Sequence, residues 1–202
     1  MSIAFITTMA QHVNNDEKYN EREKQYMYSM ARIFSYKLPV YCVLSETHND
    51  EEFKPKVFFP FQKLLEIDSL DKNMTKSQKE FYSIKSLLNY IDLDDNTWIV
   101  KVSGRYMIYN DEFIEFVKKS SNNIKAIIKT CDNDTQMYTF LFALRFKYFK
   151  DFFINYNLPN DMNLEKIILF YIEKKLEKTH INYINNLGIF SNIDDSNEFT
   201  YF

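Results

Sequence analysis

The chain has 202 residues, with 46% hydrophobic and 17% aromatic content, including 19 Phe and 15 Tyr. That composition fits one domain with a sizeable core and excludes intrinsic disorder. At this length folding buries roughly 70% of the unfolded chain's surface, so neither disulfides nor a structural metal is needed. Lys and Arg number 25 against 28 Asp and Glu, giving a net charge of −3 and a pI of about 5.7, which argues against a nucleic-acid binder. Cys42 and Cys131 lie in apolar runs and read as buried free thiols. The chain holds two glycines, Gly104 and Gly188, so neither Gly-rich phosphate loop, G-x-G-x-x-G or G-x-x-x-x-G-K-[ST], can be written in it. No apolar run approaches a membrane span, and no secretory signal is visible at the N-terminus. The cytoplasm is the expected compartment.

Ser2–Thr8 is a near-continuous apolar run that reads as a buried strand. Residues 15–36 place Tyr26, Met27, Met30, Ile33 and Phe34 on one helical face. Leu38–Leu44 is a second strand, so the opening is a βαβ unit with a parallel pair. Residues 47–60 read as a loop, and Lys63–Ile67 as a short third strand. A helix over 76–91 carries Phe81, Ile84, Leu87, Leu88 and Ile91 on one face. Its start shows two overlapping capping boxes, Thr75 with Gln78 and Ser77 with Glu80. Thr97–Val102 is a strand, Asp111–Lys119 a helix and Ile124–Thr130 another strand. Met137–Phe146 suits either a strand or a buried helix start. Helices follow over 147–156 and 163–178, and the polar tail after Phe190 reads as loose.

This alternation predicts an α/β fold with a largely parallel central sheet flanked by helices, in which ligands bind beyond the carboxyl ends of the strands. Thr7–Thr8, Glu46, Ser103–Tyr106 and Asp132–Asp134 should gather at that edge. The stretch Trp98–Tyr106 holds a lysine, Lys101, inside a strand that breaks at Ser103-Gly104-Arg105-Tyr106. A glycine placed there suggests positive φ or close approach to a ligand. The guanidinium of Arg105, one of four arginines, suits a diphosphate or carboxylate. The competing reading is a turn glycine with Arg105 in a surface ion pair. Asp132 and Asp134 are spaced to share a divalent ion such as Mn or Mg, or simply to cap a turn. Asp92 and Asp94 precede their strand and belong to the opposite edge. His12, His48 and His180 form no metal-ligand spacing, and the Lys118–Lys119 and Lys174–Lys175 pairs read as solvated surface.

Residues 76 to about 190 resemble small glycosyltransferase-like proteins of bacterial surface-polysaccharide clusters and large DNA viruses. The resemblance rests on Lys76-Ser77-Gln78-Lys79-Glu80, Ile99-Val100-Lys101-Val102-Ser103-Gly104-Arg105-Tyr106, Met137–Ala143, Asn163-Leu164-Glu165 and Leu187-Gly188-Ile189. The opening Ile3-Ala4-Phe5-Ile6-Thr7-Thr8 is similar to the first strand of a nucleotide-sugar domain. The Lys-x-Ser/Thr-Gly-Arg-Tyr element is the most specific part.

The resemblance implies a GT-A-like domain over residues 1–202. Residues 1–135 would form the nucleotide-sugar-binding core and 136–190 an acceptor-side helical part, with 191–202 a loose tail. It implies a nucleotide-sugar donor, a glycan or glycoconjugate acceptor, and a place in polysaccharide biosynthesis or in viral or bacterial glycosylation, in the host cytoplasm for a viral member. Thr7 and Thr8 would meet the nucleotide and Glu80 the donor, while Lys101 and Arg105, with Ser103, Gly104 and Tyr106, would face the diphosphate. Where GT-A enzymes carry D-x-D, this chain reads Val102-Ser103-Gly104-Arg105. Metal use, with Asp132 and Asp134 as the site, is therefore an open alternative. Asp132, Asp134 and Glu165 are the candidates for taking the acceptor's proton. Two other functions fit the same scaffold: a non-catalytic module that binds sugar or protein, and another nucleotide-dependent transferase such as a nucleotidyltransferase.

Overall fold

The computed structural model describes residues 1–10, 16–45, 58–68, 70–131, 134–159, 162–191 and 200–201. The chain begins with β1 (Ile3–Ala10), α1 (Asp16–Ser35), β2 (Val40–Ser45), β3 (Lys63–Ile67) and α2 (Lys76–Leu88). It continues through β4 (Trp98–Ser103), β5 (Met107–Ile108), α3 (Glu112–Lys119), β6 (Ala126–Ile128), β7 (Leu141–Arg145) and α4 (Phe146–Asn155). The last elements are α5 (Leu164–Lys175), a 3-10 turn (Lys178–His180), β8 (Ile181–Tyr183), β9 (Ile189–Ser191) and β10 (Thr200–Tyr201). Seven strands form one sheet in the order β3-β2-β1-β4-β7-β6-β8, parallel except for β7, which runs against both of its neighbours. The fold is thus an α/β sheet of mostly parallel strands flanked by helices, as the alternation of patterns predicts.

Two apolar layers clamp the sheet. On one face α2, α4 and α5 bury Phe81, Phe142, Phe146, Phe149, Phe152 and Phe153. On the other, α1 and α3 cover Trp98 with Met30, Ile33, Phe113 and Val117. Each fully buried side chain of this size contributes about 1.5–3 kcal/mol. Residues 3–7 are all buried, which explains the unbroken apolar run of β1. The ambiguous Met137–Phe146 stretch resolves into a strand followed directly by a helix. All of β7 is buried, and Arg145 is held there by donating to the carbonyls of Ile124, Asn96 and Ser121 while lying over the Trp98 ring.

Of the two capping boxes, the structure uses the first. Thr75 accepts from the Gln78 amide, and the Gln78 side chain accepts from the Thr75 amide. Thr75→Ala is expected to cost about 1 kcal/mol, measured as a lower urea midpoint with an unchanged slope.

Several expectations need adjustment. Cys42 is buried, and burial pushes its thiol well above the usual range. Cys131 is only half-buried, because it opens the β6–β7 turn where its amide donates to the Gln136 carbonyl. The tail is not wholly loose: β10 pairs with β9, and β9 pairs with β5 in a second, three-stranded sheet. The loop expected over 47–60 and residues 192–199 lie largely or wholly outside the described residues, as do Glu46, Asp132, His12 and His48. Among the described residues no helix is long and apolar enough to cross a membrane.

Candidate functional site

The carboxyl ends of β1, β2 and β4 open onto a cleft of about 430 Å³, within the size range of small-molecule sites. Because β7 runs antiparallel, its first residue, Leu141, lies against Val102 near the end of β4. The residues just before β7, Thr139 and Phe140, therefore reach the same edge, and the Ser103 amide donates to the Phe140 carbonyl at 2.9 Å. The N-terminus of α2 forms the opposite wall through Lys76, Ser77 and Glu80.

The turn after β4 is fixed from three sides. The Gly104 amide donates to the Thr8 carbonyl at 3.0 Å, the Ser29 hydroxyl of α1 to the Tyr106 carbonyl at 2.8 Å, and Arg32 Nε to the Ile108 carbonyl at 3.1 Å. On the far side the Tyr109 amide donates to the Gly188 carbonyl. Gly104 is needed for contact between chain segments. A Cβ there would lie 2.8 Å from the Thr8 carbonyl oxygen and 2.9 Å from the Tyr26 ring. The glycine with positive φ is Gly188, at +65°. Gly104→Ala is expected to cost about 1–3 kcal/mol, because the backbone oxygen of a buried strand cannot move aside. Equilibrium denaturation checks this.

Lys101 lies behind the cleft wall, fully buried. Its ammonium pairs with Glu80 Oε1 and donates to Ser103 Oγ and the Thr139 carbonyl, both at 2.7 Å. The same Oε1 accepts from Thr8 Oγ1 at 3.2 Å and from Ser103 Oγ at 3.4 Å. Thr139 Oγ1 in turn donates to Glu165 Oε1 at 3.1 Å, which links the second carboxylate of the cleft to the same network.

Arg105 enters the cleft half-buried, and its guanidinium makes no hydrogen bond or ion pair among the described residues. Arg22, Lys76 and Lys79 add further positive charge to the lining. An aromatic wall stands beside them, with Tyr106 stacked on Phe140 at 4.4 Å between ring centroids. The Tyr106 hydroxyl is raised above its ordinary range, chiefly by burial.

The structure therefore brings Thr8, Glu80, Ser103, Gly104, Arg105, Tyr106 and Glu165 together around one cleft, with Lys101 beneath. Thr7 is fully buried in β1 and does not line the cleft. Asp134 is exposed at the β6–β7 turn, with φ of 52°, where its carboxylate accepts from Thr130 Oγ1. Among the described residues no three His, Cys, Asp or Glu side chains converge as a metal site. Ser83, Arg22 and the Thr139–Phe140 pair are among the contributors that escape the sequence reading. Ser83 is a lone hydroxyl on the apolar face of α2, one turn after Glu80, and that spacing was the available signal.

No family model matches the chain, and no curated protein matches it in sequence. Solved structures share its fold. A Bacillus anthracis protein assigned as a glucose-1-phosphate thymidylyltransferase, in complex with sucrose, superposes with a TM-score of 0.57 at 10% identity, over 91% of this chain and 86% of its own. The inositol-1-phosphate CTP transferase of T. maritima gives 0.56 at 11% identity, over 91% and 85%. The 4-diphosphocytidyl-2C-methyl-D-erythritol synthase of Anaerococcus prevotii gives 0.55 at 13% identity, over 91% and 86%.

Proposed function

We propose that the protein is a nucleotide-dependent transferase, specifically a glycosyltransferase that moves a sugar from a nucleotide-sugar donor to a hydroxyl of a glycan or other acceptor. The observation that carries this reading is the Arg105 guanidinium, presented by a braced turn at the carboxyl edge of the sheet with no partner among the described residues. In glycosyl transfer the departing nucleoside diphosphate gains negative charge, and fixed cations at that point lower the barrier. Arg105 supplies a bidentate fork for it. The first-turn amides of α2, at Lys76 and Ser77, add the anion affinity of a helix N-terminus. Glu165, held by Thr139 within the same cleft, is suited to accept the proton of the acceptor hydroxyl.

The named activities of the structures sharing the fold favour a second reading, nucleotidyl transfer from a nucleoside triphosphate. The absence of a Gly-rich backbone cradle for a triphosphate, in a chain whose glycines are Gly104 and Gly188, weighs toward the diphosphate donor. A thermal-shift screen against UDP-, GDP-, CMP- and dTDP-sugars and the free nucleoside triphosphates, followed by product analysis, tests both. One nucleotide-sugar class at about 100 times its Kd should add roughly 2.7 kcal/mol, a shift of several degrees. Release of the nucleoside diphosphate on turnover supports glycosyl transfer, and release of pyrophosphate from a triphosphate supports the second reading. Saturable binding without turnover would make the protein a sugar-nucleotide-binding module. No binding by any nucleotide overturns the proposal.

A further inference from the structure

Glu80 and Ser83 stand one turn apart on α2, and both line the cleft. The three interactions of the Glu80 carboxylate, from Lys101, Thr8 and Ser103, all converge on Oε1. Its Oε2 has no partner among the described residues, although the side chain is 23% exposed within the cleft. Ser83 is 1% exposed, and its Oγ is likewise without a partner there. A buried hydroxyl left unsatisfied is costly, and most native ones are paired. A carboxylate oxygen that can only accept, one helical turn from a hydroxyl that can both donate and accept, suits two neighbouring hydroxyls on one ligand.

We propose that Glu80 Oε2 and Ser83 Oγ form a hydroxyl-recognition subsite that grips a vicinal diol of the nucleotide-sugar donor, from either its ribose or its sugar. This rests on the donor reading above and assigns a part of the site that reading does not use. Lys101, Thr8 and Ser103 act as positioning residues. By occupying Oε1 they fix the carboxylate and aim its second oxygen. The diphosphate belongs to Arg105 and the α2 N-terminus, and the diol to the next turn of the same helix.

The test is calorimetric titration of the nucleotide sugar found in the screen, alongside its 2′-deoxy- and 3′-deoxyribose analogues, the analogues lacking one sugar hydroxyl, and the bare nucleoside diphosphate. In the wild type, loss of a gripped hydroxyl should weaken binding about tenfold or more, as expected for a hydrogen bond to a charged group. The ribose and sugar arms show which diol is held. Glu80→Gln should weaken the intact donor by a similar factor and leave the matching deoxy ligand unchanged. Ser83→Ala should weaken it a few-fold. Because Ser83 has no partner to lose, it serves as the test if Glu80→Gln unfolds. Arg105→Ala separates the two levels of the argument, since it should weaken every ligand alike. If binding depends on Arg105 yet ignores every hydroxyl, or if Glu80→Gln penalises deoxy and intact ligands equally, the subsite is wrong and the donor reading stands. If no nucleotide binds, both fall.

Discussion

Replacing Glu80 with methionine is expected to destabilise the protein by about 3–5 kcal/mol, because it strands a fully buried ammonium without its counter-charge. Lys101 would keep Ser103 Oγ and the Thr139 carbonyl, two neutral acceptors that do not compensate a cation out of reach of water. The reciprocal variant, Lys101→Met, should cost less. The carboxylate it leaves is 23% exposed and can turn toward solvent in the cleft. The double variant Glu80→Met/Lys101→Met should recover most of the loss, since well-packed apolar side chains often replace a buried pair at little cost. Urea denaturation of all four proteins completes the cycle. For a chain of this size the Glu80→Met penalty corresponds to a fall in Tm on the order of 10 °C. Equal penalties for both single variants would mean that the ammonium is not the more deeply committed charge. Additive penalties in the double variant would mean that the pair is not coupled.

Arg105→Ala should behave in the opposite way, leaving stability within about 0.5 kcal/mol and lowering nucleotide affinity about 10- to 100-fold. The first half follows from its lack of a partner among the described residues. The turn that carries it is held by backbone and α1 contacts that do not involve its side chain. The second half follows from the strength of charge-assisted bonds to a diphosphate. Arg105→Lys should fall between the two, because it keeps the charge and loses the planar fork. Raising ionic strength should narrow the gap between wild type and Arg105→Ala. A large loss of stability in Arg105→Ala would mean that the guanidinium holds the fold instead of the ligand.

The fold was legible where one local signal decided the matter. Thr75 and Gln78 announce the start of α2, and the short run Lys63–Ile67 is β3 to the residue. The start of α4 was legible to within a residue, but the character of Met137–Phe146 before it was not. β7 is buried along its whole length, so its apolar run carries no alternation to tell strand from helix. Arg145, the one charge there, is drawn inside by three carbonyls that arrive from distant parts of the chain. The site divides in the same way. Gly104 and Arg105 stand out because glycine and arginine are scarce in this sequence. Lys101 reads as a ligand-facing cation in the sequence, because nothing local reveals that packing brings Glu80 of α2 onto its ammonium. Ser83 is one ordinary serine until α2 docks on the sheet and sets it into the cleft wall. Such pairings arise from packing between elements, which periodicity and spacing do not encode.

The pairing of β5 with β9 puts an order on the maturation of this protein during its synthesis. Met107 and Ile108, which directly follow the arginine turn, hydrogen-bond to a strand centred on Phe190. A ribosome adding roughly 5–20 residues per second needs on the order of ten seconds to supply that strand after the turn has emerged. Meanwhile β1, β2 and β4 have all been made and can pair among themselves. A nascent chain can therefore pair these strands and seat the arginine turn on β1 and α1 before β9 supplies its remaining brace. The turn proposed to present Arg105 to the diphosphate is thus completed only once β9 has been made, not when the turn itself emerges.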